Sequence, residues 1–211
     1  MAQPIATALS SNTLAQLIAY LVRRLGSVPR TKLVKLVYLV DERWSQEHGR
    51  TLTGADYIRD NHGPNAEGNA IVKTAEAMQG HELKMHTGLS KRGRLQHTYK
   101  VGHASRFEPK FDQAKTGVIE EIISLCGGLS IDDIVTVSKS TVPFRESARH
   151  GARLDMRTLS DRGRDSLTEL QQRVQERGDL NRFAEFPVGD EEPERGIVDS
   201  IQTRALLAET E

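Results

Sequence analysis

Residues 32–63 read KLVKLVYLVDERWSQEHGRTLTGADYIRDNHG, and this stretch decides the fold. Its first half has apolar residues at spacings of three and four, which places them on one face of a helix: Leu33, Leu36, Val37 and Val40. Thr31 is the expected N-cap after Pro29, and Gly49 predicts the end of the helix, because glycine readily takes the left-handed conformation there. A loop at 50–54 then leads into alternating residues at 56–59, which predict a short strand.

Apolar periodicity outside this stretch predicts a predominantly helical α+β protein. Ser130 is the expected N-cap of one late helix. The elements expected in chain order are a helix at 12–25, the helix at 32–48, a strand at 56–59, a helix at 65–78, a hairpin with strands at 81–85 and 96–101, and helices at 111–126, 131–138 and 159–174. The organisation expected is a lead-in at 1–11, one domain at 12–147, an arginine-rich and helical extension at 148–184, and an acidic tail at 185–211 that is disordered when free.

The composition excludes several classes of protein. The 211 residues include 29 basic and 29 acidic side chains, so no global charge favours nucleic acid or an anionic membrane. A single cysteine excludes an intrachain disulfide and fits a reducing compartment. The N-terminus lacks the features of a signal peptide, and no apolar run reaches the roughly 20 residues of a membrane helix. We therefore expect a cytoplasmic protein without a membrane partner.

The residue patterns do not predict catalysis, a metal site or a cofactor. The glycines of residues 63–69 have the spacing of a phosphate-binding loop, but the required lysine and hydroxyl residue are missing. Cys126 falls at a helix C-terminus, where the helix dipole disfavours a thiolate. His81 and His86 lie on opposite faces of one strand, so they cannot share a zinc ion. We therefore expect a protein that is not an enzyme.

Basic residues favour a binding role in two regions. The hairpin region at 81–110 is rich in lysine and arginine, and the order helix, helix, strand, helix, hairpin is that of a winged helix. The helix that would enter DNA, at 65–78, has only Lys73 as a base, so nucleic acid is the weaker alternative. Further on, arginines recur every four residues and would line one face of a continuous helix, or else belong to a solvated irregular segment: Arg145, Arg149, Arg153 and Arg157.

Taken together, the motifs of residues 32–64 resemble the Panacea domain, also called the SocA-like antitoxin domain, of bacteria and phages. The residues that carry the likeness are Lys32, Lys35, Tyr38, Gly49, Arg50, Leu52, Thr53, Gly54, Asp56, Tyr57, Gly63 and Pro64. Segments 129–134 and 141–144 are similar to the family as well. Phe144 stands where the family often has tryptophan, and Asn65 where it commonly has a small apolar residue. The likeness covers about residues 12–147.

The resemblance implies a mostly helical fold with a small β element, and an antitoxin that neutralises a cognate protein toxin by direct contact. One branch of the family is similar to a proteolytic adaptor that delivers its toxin to an ATP-dependent protease, which is a further alternative. For Lys32, Lys35 and Tyr38 we expect a framework role, in which they pair with nearby acids and hold the strand and the turn. The candidate partner-binding residues lie in the turn, at the hairpin tip and from residue 145 onward: Asn61, His62, Asn65, Lys91, Arg92, Arg94, Arg145, Arg149 and Arg153.

Overall fold

The computed structural model describes residues 12–89, 93, 95–102, 108–156, 172 and 175. Its helices are α1 (Thr13–Leu25), α2 (Arg30–His48), α3 (Ala70–Ala77), α4 (Gln113–Cys126), α5 (Ile131–Ser140) and α6 (Val142–Glu146). Its strands are β1 (Ser27–Pro29), β2 (Tyr57–Ile58), β3 (Asn65–Ala66), β4 (Leu83–Leu89) and β5 (Leu95–Val101), and a 3₁₀ turn spans Glu67–Asn69. The predicted α+β class, predominantly helical, is confirmed.

Helix α2 lies at the centre of the fold and is buried on most of its surface. Its aliphatic side chains are at most 1% exposed at the following positions: Leu33, Leu36, Val37, Leu39 and Val40. Helices α1, α3, α4 and α5 and strands β1, β3 and β5 all contact it. A helix that is apolar on several sides has to be covered by other elements. The remaining elements are therefore arranged around α2.

The first helix has the bounds that the sequence predicts. Asn12 is the N-cap, and its Oδ1 accepts a hydrogen bond of 3.2 Å from the amide of Ala15. Gly26, with φ of +74°, ends the helix and donates its N–H to the carbonyl of Val22 at 2.9 Å. The buried face of α1 includes Leu17, Ile18 and Leu21, which are fully enclosed.

The start of α2 differs from the prediction. The helix begins at Arg30, directly after Pro29, so Thr31 lies inside the helix and is not its N-cap. Residues 27–29 form β1, which pairs antiparallel with β5 and places Val28 opposite Tyr99. The resulting sheet has the order β1-β5-β4. A three-residue strand whose partner lies about 70 positions later leaves no periodic signal in the sequence.

The helix expected at 65–78 is shorter than predicted. Asn65 and Ala66 form β3, which pairs with β2. Gly68 and Asn69 then have positive φ values of +63° and +57°, a conformation that does not belong to a right-handed helix. Helix α3 therefore begins only at Ala70. The hairpin strands, in contrast, extend further toward the tip than predicted.

Helices α4 and α5 lie where the sequence predicts them, whereas α6 was not predicted, and the chain then returns to β2. Ser130 caps α5, since its Oγ accepts a hydrogen bond of 3.1 Å from the amide of Asp133. After α6, the amide of Leu154 donates to the carbonyl of Tyr57 at 2.8 Å. Leu154 and Met156 thus pack on the same core as the helices. The predicted domain boundary at 147 stays a prediction. The predicted helix at 159–174 lies outside the described residues except for Gln172, which is helical, and the predicted tail at 185–211 lies outside them.

Helix α2 also buries a carboxyl group, that of Glu42. Its Oε1 accepts a hydrogen bond of 2.8 Å from the Nε2 of Gln46. Burial raises the pKa of Glu42 from 4.5 to about 7. Between these two pH values the folded chain binds more protons at this site than the unfolded chain does. The free energy of unfolding therefore falls as the pH rises from 4.5 to 7.

Replacing Glu42 by glutamine should remove this fall in the free energy of unfolding with pH, because the amide has a similar shape and does not ionise. We expect Glu42→Gln to raise the free energy of unfolding at pH 8 by on the order of 3 kcal/mol, and to leave it unchanged near pH 4. Urea denaturation at a series of pH values measures this difference. Glu108→Gln, at an exposed position, is the control. A Glu42→Gln variant that is less stable than the parent at pH 8 would contradict a raised pKa of Glu42 in the folded chain.

Candidate functional site

Four polar side chains of α2 each hold a different part of the chain. They are spaced by three residues: Lys32, Lys35, Tyr38 and Asp41. Successive residues of a helix are about 100° apart, so a step of three falls about 60° short of a full turn. Three such steps carry the series roughly half way around α2. The four side chains therefore reach different neighbouring segments.

Lys32 holds the C-terminal end of α4. Its Nζ donates hydrogen bonds to the carbonyl oxygens of Gly127, at 2.7 Å, and Leu129, at 2.6 Å. The last carbonyls of a helix lack partners within the helix and carry partial negative charge, so an ammonium group is a favourable partner for them. Burial lowers the pKa of Lys32. This side chain fastens α4 to α2.

Lys35 holds the turn at 61–65 from the protein interior. The side chain is buried, and its Nζ donates a hydrogen bond of 2.8 Å to the carbonyl oxygen of Pro64. Gly63 has φ of +93°, and a Cβ on it would lie 3.3 Å from Lys35 Nζ and 3.1 Å from Ser138 Oγ. Both the backbone conformation and the lack of space therefore favour glycine. Burial lowers the pKa of Lys35 to about 8.

Tyr38 holds the junction between α5 and α6. Its hydroxyl lies 2.6 Å from the Oγ1 of Thr141, which itself donates to the carbonyl of Ser138 at 2.9 Å. Since the threonine proton is engaged there, the tyrosine is the donor to Thr141. The ring of Tyr38 also meets that of Tyr57 edge to face, with centroids 5.0 Å apart.

Asp41 holds the loop that follows α2. Its carboxylate accepts hydrogen bonds from the amide of Thr53 at 2.8 Å, from the hydroxyl of Thr53, and from the hydroxyl of Tyr57 at 2.6 Å. Burial raises the pKa of Asp41 to about 6, while these donors act to lower it. Asp41 was not among the residues predicted from the sequence. The available signal was its position three residues after Tyr38, which continues the spacing of Lys32, Lys35 and Tyr38.

The partners of the two lysines differ from the expectation. Acids were expected, but the hydrogen-bond acceptors of Lys32 and Lys35 are backbone carbonyl oxygens at a helix end and in a turn. The charge of Asp60 acts to raise the pKa of Lys35, against the larger effect of burial. The physical reason is that both amines end where the backbone has unpaired acceptors, and such acceptors need a donor as much as a carboxylate does.

Other residues of the motif shape the loop after α2. Gly49, with φ of +65°, ends the helix and donates its N–H to the carbonyl of Ser45 at 2.8 Å. Gly54 has φ of +76°, and Leu52 packs against the core. Arg50 is exposed and takes part in none of the ion pairs found among the described residues. It is the one motif residue without a visible structural role in that part of the chain.

The candidate partner-binding residues differ in exposure and in their partners within the chain. Asn61 and His62 are exposed on the turn, where the amide of His62 donates to the Oδ1 of Asp60 at 3.0 Å. Asn65 is half-buried in β3 and donates to the Oδ1 of Asn69 at 3.0 Å. Arg153 bridges Asp56 at 2.9 Å and Glu67 at 2.8 Å, so its charge is already offset. Lys91, Arg92 and Arg94 lie outside the described residues.

Arg145 and Arg149 are exposed and form no ion pair within the described part of the chain. They do not belong to one helical stripe with Arg153, because α6 ends at Glu146 and Arg153 forms an isolated antiparallel bridge with Ile58. Of the two alternatives, the irregular segment is therefore the one observed for residues 147–156.

The turn at 61–65 and the junction of α5 with α6 form one surface. Gly63 lies against Ser138 and Lys139. The guanidinium of Arg59 lies 4.2 Å from the ring centroid of Phe144 and donates to the carbonyls of Phe144 and Ser147. We define the turn surface as Asn61, His62, Lys139, Arg145 and Arg149. Asp60 and Glu146 are the sequence neighbours of Asn61 and Arg145.

Comparison with known protein families identifies the family to which this chain belongs. The family described as "Antitoxin SocA-like, Panacea domain" matches residues 33–143, which is more than half of the chain. The chain belongs to the SocA-like antitoxin family. Its Panacea domain runs from α2 to α6 and thus contains each segment that the polar side chains of α2 hold. Comparison with curated proteins gives no match.

Two further properties concern only the described residues of this Panacea domain protein. None of its helices there is both long enough and apolar enough to cross a membrane. The same residues contain no group of three or more histidine, cysteine, aspartate or glutamate side chains that could hold a metal ion.

Removing the carboxylate of Asp41 should destabilise the fold. In Asp41→Ala the hydroxyl of Tyr57 and the amide of Thr53 lose their acceptor, which should lower the free energy of unfolding by about 3 kcal/mol in urea denaturation at neutral pH. Asp56→Ala, which removes an exposed ion pair, should cost less than about 1 kcal/mol. The cost of Asp41→Ala should shrink in a Tyr57→Phe background, where one donor is already absent. If Asp41→Ala lowered the free energy of unfolding equally in the parent and in Tyr57→Phe, the hydrogen bond between Tyr57 and Asp41 would be contradicted.

Removing the amine of Lys35 should loosen the turn. Lys35→Met keeps the length of the side chain but leaves the carbonyl of Pro64 without its donor, which should cost on the order of 1.5 kcal/mol locally and speed hydrogen exchange of the turn amides about ten-fold. The amide of Gly63, bonded to the carbonyl of Asp60 at 3.0 Å, is the reporter. Lys139→Met, which alters the neighbouring lysine without removing a hydrogen bond to the turn, is the control. Equal exchange rates in the two variants would refute the role of Lys35.

Proposed function

We propose that this protein is the antitoxin of a two-gene system and that it neutralises a cognate protein toxin by direct binding, without catalysis. The observation that carries the proposal is the match of residues 33–143 to the SocA-like antitoxin family. We place this action in the cytoplasm of a bacterial cell, with the gene carried by the bacterium or by a phage.

The state of the ionisable side chains supports a role in binding. A catalytic acid, base or nucleophile has to reach its substrate, and strongly shifted pKa values in a cleft are a common sign of such a group. Among the described residues, the groups with the largest pKa shifts are at most 4% exposed and serve the interior: Lys35, Tyr38, Asp41, Glu42, Tyr57 and Cys126. Burial raises the pKa of the Cys126 thiol to about 12, so it stays protonated and unreactive at neutral pH.

The turn surface is the part of the molecule best suited to contact the toxin. Arg145 and Arg149 present guanidinium groups that can bind carboxylates of a partner through two parallel hydrogen bonds. Arginine is also enriched among the residues that dominate binding energies at protein interfaces. The backbone beneath Asn61 and His62 is held by Lys35, so little conformational entropy would be lost when a partner binds. We therefore assign the turn surface to a toxin that offers acidic side chains.

Growth of cells that express the adjacent open reading frame, with and without this protein, tests the proposal. We expect growth arrest that the parent protein relieves. The double variant Arg145→Glu/Arg149→Glu should bind the toxin at least about ten-fold more weakly, since charge pairs across an interface turn into repulsions, and should lose the rescue. Arg50→Glu/Lys73→Glu reverses two exposed charges outside the turn surface and should keep the rescue.

The free energy of unfolding of both double variants should match that of the parent, which separates lost binding from lost folding. Arrest without relief by the parent, or the absence of arrest, would overturn the antitoxin role. Loss of rescue by both double variants would overturn the assignment of the turn surface alone.

A second candidate function is DNA binding. It is supported by the order α1, β1, α2, α3 and hairpin with β1 in the same sheet as β4 and β5, which fits a winged-helix-like module. The charge of α3 opposes it, because Lys73 is its single base and Glu76 is exposed on the same helix. A gel shift with the DNA upstream of the gene, repeated at rising salt, distinguishes DNA binding from toxin binding alone.

A proteolytic adaptor role rests on the family likeness, and faster degradation of the toxin by a purified ATP-dependent protease would support it.

A further inference from the structure

Within the described part of the chain, the outer edge of the hairpin of β4 and β5 has no partner strand, and two exposed leucines lie beside its tip. In the sheet order β1-β5-β4, β4 is an edge strand. Leu89 and Leu95, which are cross-strand partners next to the tip, are 73% and 68% exposed and are the most exposed large apolar side chains in the described part of the chain. Neighbouring apolar side chains that remain this exposed indicate a contact surface.

The outward-facing backbone groups of β4 follow from the ladder. The amide of Gly102 donates to the carbonyl of Glu82 at 2.8 Å, so every second residue from Glu82 directs its N–H and C=O toward β5. The residues between them direct these groups outward. Leu83 is the first of these, and its N–H and C=O are occupied by the carbonyl of Met78 and the amide of Gly80.

The next outward-facing residues are Met85, Thr87 and Leu89. Among the backbone hydrogen bonds of the described residues, none joins the N–H or C=O groups of these three residues to a segment outside the hairpin. Natural edge strands are protected from strand pairing by charged residues, proline or bulges. Residues 85–89 read MHTGL, with no proline and no lysine, arginine, aspartate or glutamate. Along residues 85–89 the edge therefore lacks the charges and the proline that usually protect such strands.

The same three residues share the face of the sheet that packs on the core. Met85 is half-buried against the core, and the Oγ1 of Thr87 lies 3.0 Å from the Nδ1 of His97, its partner on β5. Leu89 continues this face beyond the core. Along the edge the order is apolar, polar, apolar, which is symmetric about Thr87.

We propose that two copies of this chain pair antiparallel through the outer edge of β4, with Thr87 opposite the equivalent residue of the second copy. In this register the outward-facing N–H and C=O groups of one copy meet those of the other. Met85 of each copy lies opposite Leu89 of the second copy, and Thr87 lies on the two-fold axis. The exposed Leu89 then covers Met85 of the second copy on the core side of the sheet. A two-fold interface requires a self-complementary patch, and the symmetry of this edge supplies one. The inference does not depend on the proposed antitoxin function.

Disulfide trapping in the full chain tests the register. Two residues opposite each other in a hydrogen-bonded antiparallel pair have Cα atoms about 5.5 Å apart, which a disulfide can span. Thr87→Cys should therefore form a covalent dimer under mild oxidation. Gly88→Cys is the matched control, because residue 88 faces residue 86 of the second copy and lies beyond the roughly 7 Å limit from its own equivalent. A Cβ on Gly88 meets nothing closer than 3.7 Å, and the native Cys126 is buried. Trapping at both positions, or at neither, would overturn the proposal.

Sedimentation of two further variants tests the backbone pairing. Thr87→Pro removes the outward N–H and leaves the ladder to β5 intact, since proline is tolerated where the N–H faces away from the sheet. Thr87→Val keeps that N–H. Both variants lose the hydrogen bond to His97, so their difference isolates the backbone group.

We expect the parent and Thr87→Val to dimerise, and Thr87→Pro to dimerise with a dissociation constant at least about ten-fold higher at unchanged circular dichroism. A parent chain that stays monomeric at every concentration would overturn the proposal. A monomeric chain that uses the β4 edge only for a strand of the toxin would overturn it as well.

Discussion

Burial of polar side chains on α2 is the constraint on which the rest of this structure depends. A polar group that loses water and finds no partner in the interior costs about 1–3 kcal/mol, and a charged group costs more. Lys35, Tyr38 and Asp41 all lie in the interior, and each finds its partner on a segment that follows α2 in the chain. Those segments therefore have to lie where the side chains of α2 can reach them. Apolar packing alone would allow them to shift more freely.

This constraint separates the residues of the interior from those available to a partner. The motif residues Lys35, Tyr38 and Tyr57 are occupied within the chain, so their chemistry is not offered to another molecule. Arg145 and Arg149 have the opposite character, exposed and outside the internal ion pairs of the described residues. The proposed contact with a partner therefore uses surface charges, and these motif side chains serve the interior.

The sequence predicts those elements whose signals are local. Helices α1, α2, α4 and α5 follow from apolar periodicity, and the start of α5 follows from its cap, Ser130. Strand β1 and the return of residues 151–154 to β2 were not predicted, because their hydrogen bonds join distant positions and short segments carry no period. The framework role of Lys32 and Lys35 could be anticipated, but their carbonyl acceptors could not, since a backbone oxygen has no residue type to recognise.

The spacing of the polar residues on α2 also limits how the length of this protein can change. One residue added to or removed from α2 between Lys32 and Asp41 would rotate everything beyond it by about 100° and shift it by about 1.5 Å. Asp41 would then turn away from Thr53 and Tyr57 while Lys32 stayed in place. Insertions and deletions should therefore be confined to the connections between elements, and α2 should keep a constant length wherever this framework occurs.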